Sequence, residues 1–453
     1  MDKQIIPVNY YVYLAVFIVH IGALISGISM TWPSPVITKL SRLDDNPLGR
    51  IITSTEQSIL GAIPTIGCLI GCFATGYLAK KYGRKPLLIL LEIPTVIAYF
   101  VMCLSTNIWE LYAARTLTGL TVGGVFTVNT MYVAEVAENS NRGLLGTAVT
   151  CFINFGLLFS LLLGPLTSYL WFHIILSAFP ILLIPLIYLY VPESPYYLIK
   201  RDPTKAKAVL MKLRGRADVE TELDIIAQSS NTETKIRIQY MFGNKGLRKG
   251  IIIGCGLILF QQLTGTAVIM SYGEQIFAEI DEGTPSAVGP VIITGIQFLV
   301  GFVAPLVSDK AGRKILLLIS YVGITVAHVL FGIYFVMRYG SESIGFFSYL
   351  PLASLIIYII TYSLGSGPIP WTVIGEIFPL EVKESATSIC VTLLNVLAFI
   401  MLLTFNFVKD SIGIGPTFWI FSAFGLLATL FVQYYVIETK GKSLQEIQNE
   451  LND

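Results

Sequence analysis

Along this chain, apolar stretches of roughly the 20 residues a helix needs to cross hydrocarbon alternate with short polar breaks. Twelve are read, at about 10–30, 57–79, 86–105, 109–134, 144–164, 169–191, 250–278, 287–308, 315–337, 348–375, 385–408 and 414–437. Six precede and six follow one long polar segment. Lipid offers no partner to backbone N–H and C=O groups, so an open chain crosses it repeatedly only as helices. The pattern predicts an all-α, polytopic membrane protein of twelve transmembrane helices in two six-helix repeats. Its divisions are an N-terminal half (1–191), a cytoplasmic helical linker (192–249), a C-terminal half (250–437) and a cytoplasmic tail (438–453).

The charged punctuation also occurs twice, in the same order. Gly83-Arg84-Lys85, Glu135, Arg142 and Tyr190-Val191-Pro192-Glu193 are matched by Gly312-Arg313-Lys314, Glu376, Lys383 and Tyr435-Val436-Ile437-Glu438. In each copy the acid precedes its base by the same interval, Glu135 to Arg142 and Glu376 to Lys383. A duplicated membrane unit invites a mechanism in which two halves rock about a shared central site, exposing it to one side at a time.

Composition agrees with lipid as the main solvent, with 54% hydrophobic and 13% charged residues. A formal net charge of +1 gives no reason to expect a nucleic-acid partner, because the bases cluster where topology wants them. Most of the 30 Lys and Arg residues fall in segments that place both termini in the cytoplasm. The first span is too long for a removable signal peptide and lacks its cleavage pattern, so it is read as a retained anchor. All six cysteines lie inside predicted spans without metal-ligand spacing, so reduced thiols are expected, with no metal and no cofactor. No P-loop appears, which disfavours an ATP-driven pump, and no catalytic constellation suggests an enzyme.

Seven motifs follow one another along the chain: Gly83-Arg84-Lys85, Tyr132-Val133-Ala134-Glu135 with Arg142, Pro192-Glu193-Ser194-Pro195, Gln261-Gln262-Leu263-Thr264-Gly265, Asp309 through Lys314, Gly365 through Trp371 with Glu376, and Glu438-Thr439. Together they resemble those of sugar porters of the major facilitator superfamily from end to end. Within that family, Ser29 to Pro35 and Thr150 are most similar to the insect facilitated trehalose transporter branch. The resemblance implies an inner gate of salt bridges made by Arg84, Lys85, Glu135, Arg142, Glu193, Asp309, Arg313, Lys314, Glu376, Lys383 and Glu438. Exposed pairs contribute only about 0 to 1 kcal/mol each, which suits a gate that must form and break.

Polar side chains within a span are costly and therefore informative. Gln261 and Gln262 offer amide donors and acceptors that match sugar hydroxyls, although an interhelical hydrogen bond is a second reading. Gly365 through Pro370 should break the tenth span, because two prolines remove backbone donors. Trp371, directly after, has an indole face suited to the C–H face of a sugar ring. By resemblance Thr150, Gln297 and Trp371 line the cavity and Tyr272 forms an outer gate over it. The chain departs from the usual family residues at Lys80, Ala267, Gln297, Ser363 and Leu394-Asn395, and Asn395 or Gln297 is expected to replace a lost polar partner.

Proton-coupled relatives use an acid in the first span, where this chain has Ser29, and no Asp or Glu lies between Asp2 and Asp44. Glu92 is expected to pair with Lys85, two helical turns away, and His20, His173 and His328 to make packing contacts. The reading is a plasma-membrane facilitative uniporter of a neutral sugar, trehalose or hexose, working by alternating access. Its partners are the sugar and the lipid bilayer, with no obligate protein partner implied. The alternatives are a non-transporting sugar sensor, which would carry a long cytoplasmic extension, and a porter of a polyol or other small solute.

Overall fold

The computed structural model describes residues 10–138, 141–231, 243–280, 286–340 and 349–452. Within them the secondary structure is helical throughout, and ten helices are long and apolar enough to cross a membrane.

The first half of the chain gives α1 (Tyr10–Thr31), α2 (Pro33–Leu40), α3 (Ser54–Tyr82), α4 (Lys85–Leu104), α5 (Ile108–Val136), α6 (Arg142–Leu166) and α7 (Tyr169–Tyr190). Short helices follow in the polar segment: α8 (Pro195–Leu198), α9 (Pro203–Arg214) and α10 (Glu220–Asn231). The second half gives α11 (Lys245–Leu263), α12 (Thr266–Ser271), α13 (Gly273–Ala278), α14 (Val288–Ala311), α15 (Arg313–Gly340), α16 (Leu350–Leu364), α17 (Ile369–Ile377), α18 (Leu380–Ile412), α19 (Ile414–Tyr435) and α20 (Leu444–Asn452).

Local chemistry accounts for the ends. Asn107 and Glu110 form a reciprocal capping box at the start of α5. Asp202 accepts from the Lys205 N–H before Pro203 opens α9, the cap read from the sequence, and α9 ends on the left-handed Gly215. The seventh span is three helices rather than one, because Gly265 at φ +81° turns the chain between α11 and α12, and a second break falls at Tyr272. The tenth span divides as its Gly and Pro content predicts, into α16 and α17.

The chain forms two compact units. One contains the described residues of Met1–Ser29, Ile66–Leu157 and Thr167–Thr234; the other those of Met30–Thr65, Leu158–Leu166 and Lys235–Asp453. In the first, α4 packs between α5 and α7. Small residues let helix backbones touch: a Cβ on Gly27 of α1 would run into the Ile153 backbone of α6, and one on Gly156 into Leu24. In the second unit α15 packs on α16 and α19, and α11 on α18. There α20 lies on α11 and α17 with Ile447 and Leu451 buried, and Gln448 donates to the Ile377 carbonyl at 2.6 Å.

Candidate functional site

The repeated charge motifs build the same network in each unit. In the first, Arg84 Nη2 meets Glu135 Oε1 at 2.5 Å, while Glu193 Oε1 accepts the backbone N–H of Arg84 at 2.9 Å and that of Lys85 at 3.3 Å. In the second, Arg313 Nη2 meets Glu376 Oε1 at 2.9 Å, and Glu438 accepts from the Arg313 and Lys314 N–H groups at 3.0 Å each. Gly83 at φ +96° and Gly312 at φ +94° make this possible. A Cβ at either would press on the glutamate, and the left-handed backbone is one that glycine adopts freely. Each glutamate thus caps a helix N-terminus, where a negative charge opposes the helix dipole.

The other charges of the expected gate behave differently. Among the described residues Lys85 and Lys314 reach no carboxylate; their ammonium groups donate to the carbonyls of Tyr188 at 2.7 Å and Gln433 at 2.9 Å. Lys383 donates to the Gly375 carbonyl at 2.8 Å, and Arg142 is exposed, with no ion pair among the described residues. The side chain of Asp309 lies outside the described residues. Thr439, part of the Glu438-Thr439 motif but not among the expected gate residues, bonds Glu376 Oε2 at 2.6 Å and so joins the two acids of the second network.

The two capping glutamates differ in proton affinity. Burial lifts Glu193 above the ordinary carboxylate range, against the pull of N–H groups from Ser194, Arg84 and Lys85. Burial also acts upward on Glu438, but four backbone N–H groups, of Lys440, Arg313, Lys314 and Thr439, outweigh it and hold that carboxyl below its usual value.

In the second unit the Gln261 amide nitrogen donates to the carbonyls of Ser366 and Gly367 at 2.8 and 2.9 Å, carbonyls that the break between α16 and α17 frees from helix bonding. Its Oε1 and that of Gln262 are buried without a hydrogen-bond partner among the described residues. Trp371, four residues beyond Gly367, is 37% exposed, so its indole is not used up in packing. Asn395 is buried and donates to Val391 of its own helix at 2.9 Å. Gln297 is half-buried on α14, and Thr150 is exposed on α6 in the other unit.

Tyr272 is fully buried in the second unit. Its hydroxyl donates to the Leu402 carbonyl at 3.0 Å, its ring stacks on Phe405 with centroids 5.5 Å apart, and it lies against Gly61 of α3. Nearby, α2 meets α13: Ser34 Oγ accepts from the Glu274 N–H at 3.0 Å, and Gln275 Nε2 donates to the Ser34 carbonyl at 3.0 Å and to Thr38 Oγ1 at 3.1 Å. The sequence reading also missed a polar cluster beneath Gln261. Thr266 and Tyr358 share a 2.9 Å hydroxyl contact, Ser320 accepts the Ser366 N–H at 2.9 Å, and His328 reaches the Thr264 carbonyl at 3.1 Å. Thr266, Tyr358 and Ser320 are single hydroxyl residues with no spacing signal to mark them, while Ser366 and Thr264 contribute backbone groups from motifs already quoted.

The profile of the sugar (and other) transporter family matches residues 10–451. The chain belongs to this family. It is 31% identical over 443 residues to a facilitated trehalose transporter of Anopheles gambiae, covering 97% of this chain and 56% of that protein. A facilitated trehalose transporter of Bombyx mori is 32% identical over 445 residues, covering 97% and 86%. Solute carrier family 2, facilitated glucose transporter member 8, of Bos taurus is 32% identical over 461 residues, covering 97% and 94%. The chain spans about half the length of the Anopheles and Aedes relatives it matches. The inward-open xylose transporter XylE of E. coli superimposes with a TM-score of 0.82 at 22% identity, over 97% of this chain and 99% of that one. The family member described here therefore has the major facilitator fold, a multi-pass helical membrane architecture, as its apolar pattern predicts. Its matched relatives are transporters, not enzymes.

Proposed function

We propose that the chain is a facilitative uniporter of a neutral sugar, trehalose or a hexose, working by alternating access between an N-terminal and a C-terminal six-helix half in the plasma membrane, with both termini cytoplasmic. The observation that carries the reading is the Gln261 contact. A side chain that bonds both carbonyls of a broken helix keeps a buried amide oxygen with no partner among the described residues, and Trp371, more than a third exposed, follows one turn after Gly367. An acceptor and an aromatic face are what a ring bearing hydroxyls and C–H groups needs. Gln262, Gln297, Thr150 and Asn395 complete the binding set, Tyr272 is the outer gate, and the paired charge networks are the inner gate.

Relatives carrying facilitated trehalose and facilitated glucose transporter names support passive carriage of a sugar. The first span supports it too, since Ser29 lies where proton-coupled relatives carry an acid. Uptake of labelled trehalose and glucose into vesicles, with and without a pH gradient, tests the reading. Saturable entry that stops at equal concentrations is expected. Accumulation driven by the gradient overturns uniport, and binding without entry favours the sensor.

A further inference from the structure

Three polar atoms on one face of α4 are buried without a hydrogen-bond partner among the described residues: Glu92 Oε2, Thr95 Oγ1 and the Tyr99 hydroxyl. Their spacing of three and four residues sets them in one row. The residues are 1%, 2% and 1% exposed, so solvent does not supply what the protein withholds. Glu92 sits where four helices of the first unit meet. At Gly22 of α1, the Cβ position lies 3.3 Å from Glu92 Oε1, 3.3 Å from Val125 of α5 and 3.8 Å from Leu183 of α7.

Among the described residues, no cation answers this carboxyl. The charged and titratable groups on the helices around it are engaged elsewhere. Arg115 of α5 donates to the Ser29 carbonyl at 2.9 Å and its hydroxyl at 3.3 Å. His20 of α1 contacts the Leu145 carbonyl at 2.9 Å, His173 of α7 contacts that of Tyr169 at 2.7 Å, and Lys85 of α4 itself reaches Tyr188. The expected Glu92–Lys85 pair therefore does not form, because the lysine stem turns toward the helix end of α7 instead. An ionised carboxylate in such a place carries a desolvation penalty of several kcal/mol, so the neutral acid is the form that fits. A hydrophobic residue of the same volume would pack there with no polar atom to satisfy, so packing does not explain a titratable group here.

We propose that Glu92 is a proton-binding site in the membrane core, whose occupancy sets the rate at which the carrier exchanges solute. The row gives it a route to the moving parts. Tyr99 stands within electrostatic reach of both Glu92 and Arg115, and Arg115 grips Ser29, the last residue of α1 in the first unit before the chain enters the second at Met30. A charge appearing on Glu92 changes the field at Tyr99 and, through it, at the Arg115–Ser29 contact.

Two measurements test the site. In the purified full chain with isotopically labelled glutamate, infrared difference spectra between about pH 5 and about pH 9 should show, besides bands common to both proteins, a protonated-carboxyl band that titrates in wild type and is missing in Glu92→Gln. No titrating band, or the same band in the variant, overturns the proposal. In proteoliposomes, equilibrium exchange of labelled sugar, which rests on the transport reading above, should change at least about threefold across that window in wild type and stay flat in Glu92→Gln, with Glu92→Asp keeping a displaced pH profile. A flat wild-type profile, or equal profiles for wild type and Glu92→Gln, overturns it. If neither labelled sugar exchanges at all, the transport reading fails and the infrared band alone decides the site.

Discussion

The side-chain amide of Gln261 bonds the carbonyl of Gly367 at 2.9 Å and that of the residue before it, so a glutamine of α11 closes the hydrogen bonding of a break between two other helices. The contact ties a position proposed to recognise solute to the segment proposed to bend.

Gln261→Ala should therefore lose saturable sugar flux and also destabilise the protein by about 1 to 3 kcal/mol, since a buried and a part-buried carbonyl lose their donor. Trp371→Ala should lose flux with little change in stability, because its indole is more than a third exposed. Uptake at matched surface expression, with the melting temperature of each purified variant, checks both. Normal flux in both variants would refute the cavity assignment.

The capping glutamates should respond to acid in opposite senses. The fold depresses the Glu438 pKa, so its contribution is present above the unfolded value and is lost as pH falls through the folded one. The fold raises the Glu193 pKa, so it favours the protonated form, and its contribution declines as pH rises from the unfolded value through the folded one. Glu438→Gln should cost about 1 kcal/mol at neutral pH, allowing for solvent screening, and progressively less in acid; Glu193→Gln should cost less at neutral pH. Melting temperatures across pH decide, and an equal, pH-independent loss in both variants contradicts the assignment.

Close helix contact in the first unit makes Gly156→Val a strong test of packing. Its Cβ would collide with the Leu24 backbone of α1, which no rotamer relieves. A loss of about 1 to 3 kcal/mol or more is expected, read as reduced folded yield by size-exclusion chromatography. Gly76→Val, where a Cβ meets nothing within 4 Å, serves as the tolerant control.

Removing one hydroxyl tests the buried tyrosine. Tyr272→Phe keeps the stack on Phe405 and deletes the donor to Leu402, leaving a carbonyl that α18 can still use. A modest loss of about 1 kcal/mol is expected, with faster exchange if this contact holds one side shut. Unchanged exchange kinetics alongside the lower melting temperature would limit Tyr272 to a packing role.

Much of this was legible along the chain, for identifiable reasons. Helix length in lipid is set by hydrocarbon thickness, so the spans could be counted, and the stretch from Gly365 to Pro370 marked a break because glycine permits and proline forbids particular backbones. The division of the seventh span at Tyr272 was not legible, because apart from the neighbouring Gly273 nothing there departs from a helical pattern. The pairing of Glu193 and Glu438 with backbone rather than with cations was hidden too. It depends on a left-handed glycine turning two successive N–H groups toward one carboxylate, a matter of φ rather than of composition. Spacing put Glu92 and Lys85 on one face, but spacing is silent about which of two acceptors an ammonium on a long stem will reach.

The docking of α20 has a practical side. Asn452 Oδ1 accepts the Gly246 N–H at 2.9 Å and Gln448 donates to the Ile377 carbonyl, so this stretch is clamped at its middle and its C-terminal end to the start of α11 and the end of α17. A fluorophore placed on the outward side of α20 would ride with those two helices as one body. Its signal would report their displacement during turnover without the blur of a free tether.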